Sequence, residues 1–299
     1  MNVTFVYLSM KSFVQKVHTP IKKYGIRLFL LKALESFISF IPPRLYYRIP
    51  PYLFYRFFWG YATVPILSFY MRLPLRKDVG ISRDLYFFRK REYLSTDSLL
   101  KGDILRAGDV SLDIGANIGY YALIESSLVG EKGLVYALEP VRSNMRMLKI
   151  NTSLNNAQNI QCYPLALGNE NAMRSIAVSK KGNLSSFVRD YGITHEESVQ
   201  MMTLDDFLED KKCPSFIRMD VEGYEWAIIE GAEKTLRNPA LRNVLIELHP
   251  QFMSTNETTQ LVHNLESSGF HTVTLLDAGA RNPAHVNSQG RFRPSIKWV

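Results

Sequence analysis

Four ionisable side chains stand in two pairs of equal spacing. Asp220 and Glu222 lie two apart in RMDVEGYEWAIIEGA (218–232), and Glu247 and His249 lie two apart in LIELHP (245–250). Residues two apart face the same way on extended backbone. Each pair closes a short apolar run that reads as a strand, so the four side chains converge beyond two neighbouring strand ends. Carboxylates and an imidazole gathered there can move a proton to or from a reacting group. His249, with an ordinary pKa of about 6.5, is the candidate base at neutral pH, and Asp220 or Glu247 would orient it. The same four side chains could instead ligate a divalent cation that acidifies a hydroxyl; of the two, the base is preferred and no metal is assigned. A plainer account also exists: Glu222 and Glu225 suit a helix N-terminus by charge alone, and His249 could simply pack before Pro250.

A second group of residues lies upstream, in VSLDIGANIGYYAL (110–123). Gly115 and Gly119 fall between an apolar run and a helical stretch, where glycine permits a tight turn and close approach of a ligand to the backbone. No GK[ST] follows, which argues against a nucleoside triphosphate loop. The spacing is not GxGxxG, which weakens a nicotinamide dinucleotide reading. Glu139 lies 20 residues after Gly119, at the end of the next apolar run, where a carboxylate can accept both hydroxyls of a ribose. With Asp113 ending the first run, the layout suits a ligand that has a ribose and a positively charged, phosphate-free tail. S-adenosylmethionine is such a ligand.

These residues need a scaffold that ends several strands side by side. From Asp109 onward, short apolar runs alternate with helical stretches, the pattern of an α/β fold with a parallel sheet and crossover helices. Strands are expected over 110–114, 133–138, 160–165, 215–219, 243–248 and 271–276, with helices over 120–128, 141–154, 224–236 and 258–267. Residues 174–178 and 198–202 read as an inserted hairpin. Thr203 reads as the cap of a short helix over 204–208. Residues 292–299 read as a last antiparallel strand at the edge of the sheet.

The first third of the chain differs in composition. Residues 1–100 hold 16 Lys and Arg against 5 Asp and Glu, and 22 of the 36 aromatic residues; residues 101–299 hold 20 basic against 23 acidic. The division implied is a basic, aromatic-rich helical region over 1–80 and a catalytic domain over 81–299. An amphipathic helix is expected over 26–41. Residues 52–71 run 20 positions with Arg56 as the only charge, the length of a membrane span. Gly60, Pro65 and Arg56 argue against a simple span, since a charge in hydrocarbon is costly. Helices lying on an anionic membrane surface, or a helical cap over the catalytic domain, fit the composition better. The stretch is too apolar to lead with a single-stranded nucleic acid partner. Two cysteines without CxxC spacing fit a reducing compartment, hence a cytoplasmic protein or one peripheral on the inner face of a membrane.

DIGANIGYYAL, TLDDFL (203–208), RMDVEGYEWAIIEGA and IELHP, in that order, resemble the FkbM-type methyltransferases. The resemblance runs from about residue 84 to 276. It implies a Rossmann-like class I methyltransferase sheet and S-adenosylmethionine as the methyl donor. It also implies that Asp113, Gly115, Ala116, Asn117, Gly119 and Glu139 hold that cofactor, that Ala166 and Leu167 lie against its adenine, and that Asp220 takes the acidic position after the fourth strand. The expected reaction is O-methylation of a small-molecule, glycan or lipid-linked acceptor. Two other classes compete with it: a nonenzymatic peripheral membrane module with a vestigial nucleotide fold, and an RNA or protein methyltransferase. The near-neutral catalytic part and the lack of an N-P-P-Y type signature after the fourth strand argue against the latter.

Overall fold

The computed structural model describes residues 60–75, 81–90, 104–179, 187, 193–249 and 252–270, and the backbone of 272–277 and 294–298. The chain divides into two compact units, Met1–Ala62 with Pro74–Arg76, and Thr63–Leu73 with Lys77–Val299. The second unit holds nearly all the described residues. The helix expected over 26–41 lies outside them.

The central sheet has seven strands. In chain order they are β3 (Val110–Ile114), β4 (Leu134–Leu138), β5 (Ile160–Tyr163), β9 (Phe216–Met219), β10 (Asn243–Glu247), β11 (Thr272–Asp277) and β12 (Pro294–Trp298), arranged 11-12-10-9-3-4-5. Strands 5, 4, 3, 9 and 10 are parallel. The chain leaves β3 toward β4 and β5, then returns to β9 and β10 on the other side. That reversal opens a crevice beyond the carboxyl ends of β3 and β9, where open α/β sheets bind ligands. The parallel strands are mostly buried on both faces because helices cover the sheet, so the polar Ser111 and Asp113 of β3 and Arg218 of β9 are buried with their apolar neighbours. Leu112, Ile114, Tyr136, Leu138, Ile217, Met219, Val244 and Ile246 share one buried core.

Helices α1 (Ile81–Phe88), α2 (Tyr120–Val129), α3 (Arg142–Leu154), α4 (Leu204–Phe207), α5 (Glu225–Glu230), α6 (Glu233–Leu236) and α7 (Thr255–Ser267) complete the described elements. The TLDDFL segment explains itself here. The Thr203 hydroxyl accepts from the Asp206 amide and starts α4, while Asp205 reaches across to accept from the Lys234 and Thr235 amides and so caps α6. The single helix expected over 224–236 is therefore two: α5 closes at Gly231, and α6 restarts under its own cap. At the far end, Ser254 and Glu257 form a capping box that sets the start of α7.

A three-stranded sheet, β6 (Ala166–Gly168), β8 (Ile193–Thr203) and β7 (Ala172–Ser179), stands beside the core. It contains the expected hairpin. Strand β5 stops at Tyr163, two residues short of the strand expected over 160–165, and β6 starts separately at Ala166. Strand β12 is antiparallel as expected, but it lies inside the sheet between β10 and β11, and β11 takes the edge.

The largest correction concerns residues 52–71. Residues 62–73 are not helical but form a hairpin, β1 (Ala62–Ile66) and β2 (Phe69–Leu73). Both strands bury alternate residues, so a period of two, not bulk hydrophobicity, governs this stretch. Ten of the twenty residues read as a span are thus unavailable to a membrane helix. Among the described residues no helix is long and apolar enough to cross a membrane.

Candidate active site

Backbone contacts shape the turn after β3. Gly115 has φ +82°, and a Cβ placed on it would fall 2.1 Å from the Asp220 carbonyl oxygen. Its glycine is required because β3 and β9 finish in contact there. The Gly115 and Ala116 amides both donate to the Leu138 carbonyl, at 3.0 and 2.9 Å. Glu139 then fastens the loop: one carboxylate oxygen accepts from the Asn117 amide at 2.9 Å, the other from the Val141 amide at 2.9 Å and the Asn144 amide group at 3.3 Å. Burial pushes Glu139 up to about 7, against the pull of those donors. Its carboxyl group therefore sits near its midpoint at neutral pH.

Behind the loop lies a group that the sequence reading missed. Asp113 and Arg218 are directly opposed in the β3–β9 register. The Arg218 guanidinium donates to Asp113 at 3.2 Å and to Asp220 at 3.1 Å, and it stacks on Tyr121 with 3.6 Å to the ring centre. Asp113 is fully buried; burial raises its pKa, and Arg218 opposes that rise. Beneath it, Glu125 on α2 is also fully buried and accepts from the Ser111 hydroxyl at 2.7 Å. Burial, then the charge of Asp113, raise Glu125 well above the usual carboxylate range. One signal was available in the sequence. An arginine inside the apolar run FIRM must be paired if that run is a central strand.

The second acidic group forms by a turn, not by the extended backbone expected of it. Glu222 has φ +58° and Gly223 φ +108°, and a Cβ on Gly223 would lie 2.7 Å from Phe252 Cβ. The turn places the Glu222 carboxylate 3.4 Å from His249 Nε2. The partner of His249 Nδ1 is Glu225 at 2.8 Å, and that same carboxylate oxygen accepts from the Gly223 amide at 3.0 Å. Glu225 is fully buried and so does more than favour a helix start. Neither Asp220 nor Glu247 holds His249 by its Nδ1. Burial lowers the His249 pKa, but the bond to Glu225 and the charges of Glu225, Asp220 and Glu222 outweigh it and raise the group to about 9. His249 is thus an imidazolium at neutral pH. Asp220, Glu222 and His249 bring one donor atom each within 4.8 Å of one another, enough for a cation; Glu247 lies outside that group.

A pocket opens over these groups. Gly115, Ala116, Asn117, Glu139, Ala166 and Leu167 line it, as do Arg218, Asp220 and Glu222. Asp113, Gly119, Glu247 and His249 do not. Among the described residues of the lining Arg218 is the only cation, and two carboxylates already hold it. Such a donor set suits a cationic ligand with hydroxyl groups and no phosphate, so the residues present fit S-adenosylmethionine.

The model of the methyltransferase FkbM domain matches residues 113–272, a little over half of the chain. No curated protein matches. Among solved structures, methyltransferase FkbM from Methylobacillus flagellatus KT superposes with a TM-score of 0.47 at 16% identity, over 72% of this chain and 52% of that one, so the present chain spans about half of its length. Aeropyrum pernix fibrillarin with natively bound S-adenosyl-L-methionine gives 0.42 at 16% identity, over 69% and 74% of the two chains. M. jannaschii TYW2 in complex with AdoMet gives 0.42 at 15%, over 80% and 84%. Matched from Asp113 near the end of β3 to the first residue of β11, the chain belongs to the FkbM methyltransferase family.

Proposed function

We propose that the protein transfers a methyl group from S-adenosylmethionine to a hydroxyl of a small-molecule, glycan or lipid-linked acceptor. The observation that carries this reading is the pocket itself. A ribose-competent carboxylate, Glu139, lines one part of it, and an acidic pair, Asp220 and Glu222, lines another. When bound, S-adenosylmethionine supplies an electrophilic methyl group.

The side chains of this protein have three tasks. Glu139, with the Asn117 amide already on one oxygen, accepts the ribose hydroxyls. Ala166 and Leu167 on β6 give the adenine an apolar wall. Asp220 and Glu222 accept the hydrogen bond of the acceptor hydroxyl and then its proton, holding the oxygen at near-attack distance. His249 stands behind Glu222, outside the lining. In this proposal the imidazolium fixes the Glu222 carboxylate through Nε2, and Glu225 fixes the imidazolium through Nδ1, much as a third group orients a catalytic pair elsewhere. His249 is then a positioning residue.

Two measurements test the proposal. Calorimetry should show S-adenosylmethionine binding to the full chain, weakened in Glu139→Gln. Labelled methyl transfer to fractionated lipids, glycans and small molecules should yield a product that depends on Glu222. Absence of binding would end the methyltransferase reading. Transfer only to RNA or protein would keep the donor and replace the acceptor.

A further inference from the structure

Helix α3 has two faces. Asn144, Met147, Leu148 and Asn151 are buried, whereas Arg142, Arg146, Lys149 and Leu154 are exposed. The spacing of the three cations, four and then three residues, puts them along one stripe. The β1–β2 hairpin is bound to the end of that helix by its own backbone. Asn151 accepts from the Arg72 amide at 2.7 Å. Asn155 accepts from the Tyr70 amide at 2.8 Å and donates to the Tyr70 carbonyl at 2.7 Å. Two asparagine side chains thus pair with β2 and fix Arg72 against the helix.

The result is a groove lined by four cations, Arg72, Arg142, Arg146 and Lys149, and, among the described residues, by no carboxylate; the nearby Glu197 carboxylate accepts from the Arg142 backbone amide at 3.0 Å. Among the described residues, Arg142, Arg146 and Lys149 enter no ion pair. The groove also carries Met145, Ile150 and Leu154. Leu154 is 44% exposed, and the hairpin shows Tyr70 at 56% and Leu67, in its turn, at 45%. This charge is local: residues 101–299 as a whole are slightly acidic. Val141 and Asn144, at the start of the same helix, line the catalytic pocket.

We propose that this face docks on an anionic phospholipid surface, Arg142, Arg146 and Lys149 against lipid phosphates and Leu67, Tyr70 and Leu154 within the head-group layer. Charge complementarity requires an anionic partner. The exposed leucines Leu67 and Leu154 choose among anionic partners, because they gain from entering an acyl boundary, while Tyr70, the aromatic ring named on this face, is a single platform where single-strand binding uses a succession of them. The proposal does not depend on the reaction catalysed. It differs from a membrane helix over 52–71, since the site is built by α3 and a β-hairpin.

Vesicle flotation of the full chain tests it, with phosphatidylcholine vesicles containing 30% phosphatidylserine (roughly the anionic fraction that sets the surface potential) and with pure phosphatidylcholine. Each basic residue near such a surface strengthens partitioning about fivefold. Arg146→Gln/Lys149→Gln should therefore weaken binding about 25-fold, and Lys132→Gln/Lys212→Gln, exposed elsewhere, should leave it unchanged. Leu154→Ser should lose the part of the binding that survives high salt, since screening spares apolar contact. Residues 1–59 carry cations of their own, so the ratio of variant to parent is the readout. The proposal falls if the parent ignores phosphatidylserine, or if the double variant binds as the parent does. It also falls to a nucleic-acid interface if poly(U) displaces the protein from vesicles and the double variant loses poly(U) binding. Free inorganic phosphate should not displace it.

Discussion

The two halves of the pocket are held in opposite ways. Around Glu139 the partners are mainly backbone amides, those of Asn117 and Val141. Around His249 the partners are side chains brought from two segments, Glu222 and Glu225 on one side and the imidazole on the other. Backbone partners cannot be exchanged by mutation, so the first half is rigid by construction. The second half is an electrostatic balance: one imidazolium stands among three carboxylates, and its charge depends on pH. The contrast predicts that damage to the first half will appear in folding and cofactor affinity, and damage to the second in turnover.

The sharpest way to break the first half is at Gly115. Any side chain there meets the Asp220 carbonyl and a left-handed backbone at once. Gly115→Ala should cost more than about 3 kcal/mol of folding stability, beyond the usual range for a single substitution. Urea unfolding checks this; a midpoint close to that of the parent would show that β3 and β9 separate easily.

Between the halves, Arg218 links Asp113 to Asp220 inside the core. Removing one partner of a buried ion pair typically costs about 3–5 kcal/mol, because the other charge is left unpaired. Arg218→Met should lose about that much. Adding Asp113→Asn should return part of it, since one of the stranded carboxylates is then neutral. If the double variant is as unstable as the single one, the loss comes from packing on Tyr121 and not from charge.

Glu139 sharpens the comparison further. Glu139→Gln should weaken S-adenosylmethionine binding by about 1.5–3 kcal/mol, the usual worth of a hydrogen bond to a charged group, with a smaller effect on turnover of the saturated enzyme. Its pKa is about 7 in the fold against an ordinary 4.5, and ribose hydroxyls donate best to the ionised form. Affinity should therefore rise as pH increases toward and through about 7, then level off. Calorimetry from acid to alkaline pH reads this, and a flat profile would remove Glu139 from the ribose.

How much of this was legible from sequence follows the same division. The loop and Glu139 could be placed because one apolar run, two glycines and a terminal acid fix them within a single strand–helix–strand unit. TLDDFL could be recognised as a cap, but not that Asp205 caps a second helix 28 residues away. Glu225 was read as a helix-start residue because its imidazole partner comes from another strand, and no spacing rule links the two. Arg218 was passed over although its place in an apolar run demanded a counter-charge. The 62–73 hairpin was lost to total hydrophobicity, although A-T-V-P-I and F-Y-M-R-L alternate in burial as strands do.

The smallest expected effect decides the role of His249. The group titrates at 6.5 in the unfolded reference and at about 9 in the fold. Folding thus favours its protonated form. The stabilisation is whole below about 6.5 and is lost as pH rises through about 9, so unfolding midpoints should fall across that window in the parent and less in His249→Gln. Turnover offers the sharper test. If the imidazolium positions Glu222, kcat should decline, by about tenfold at most, as pH passes 9, because the neutral ring no longer holds the carboxylate by charge. If the neutral imidazole were the base, kcat would climb through the same interval, tenfold per unit at first, since only the deprotonated fraction would act. The two accounts demand opposite slopes from one titration, and His249→Gln should erase whichever slope is found while leaving S-adenosylmethionine affinity in place.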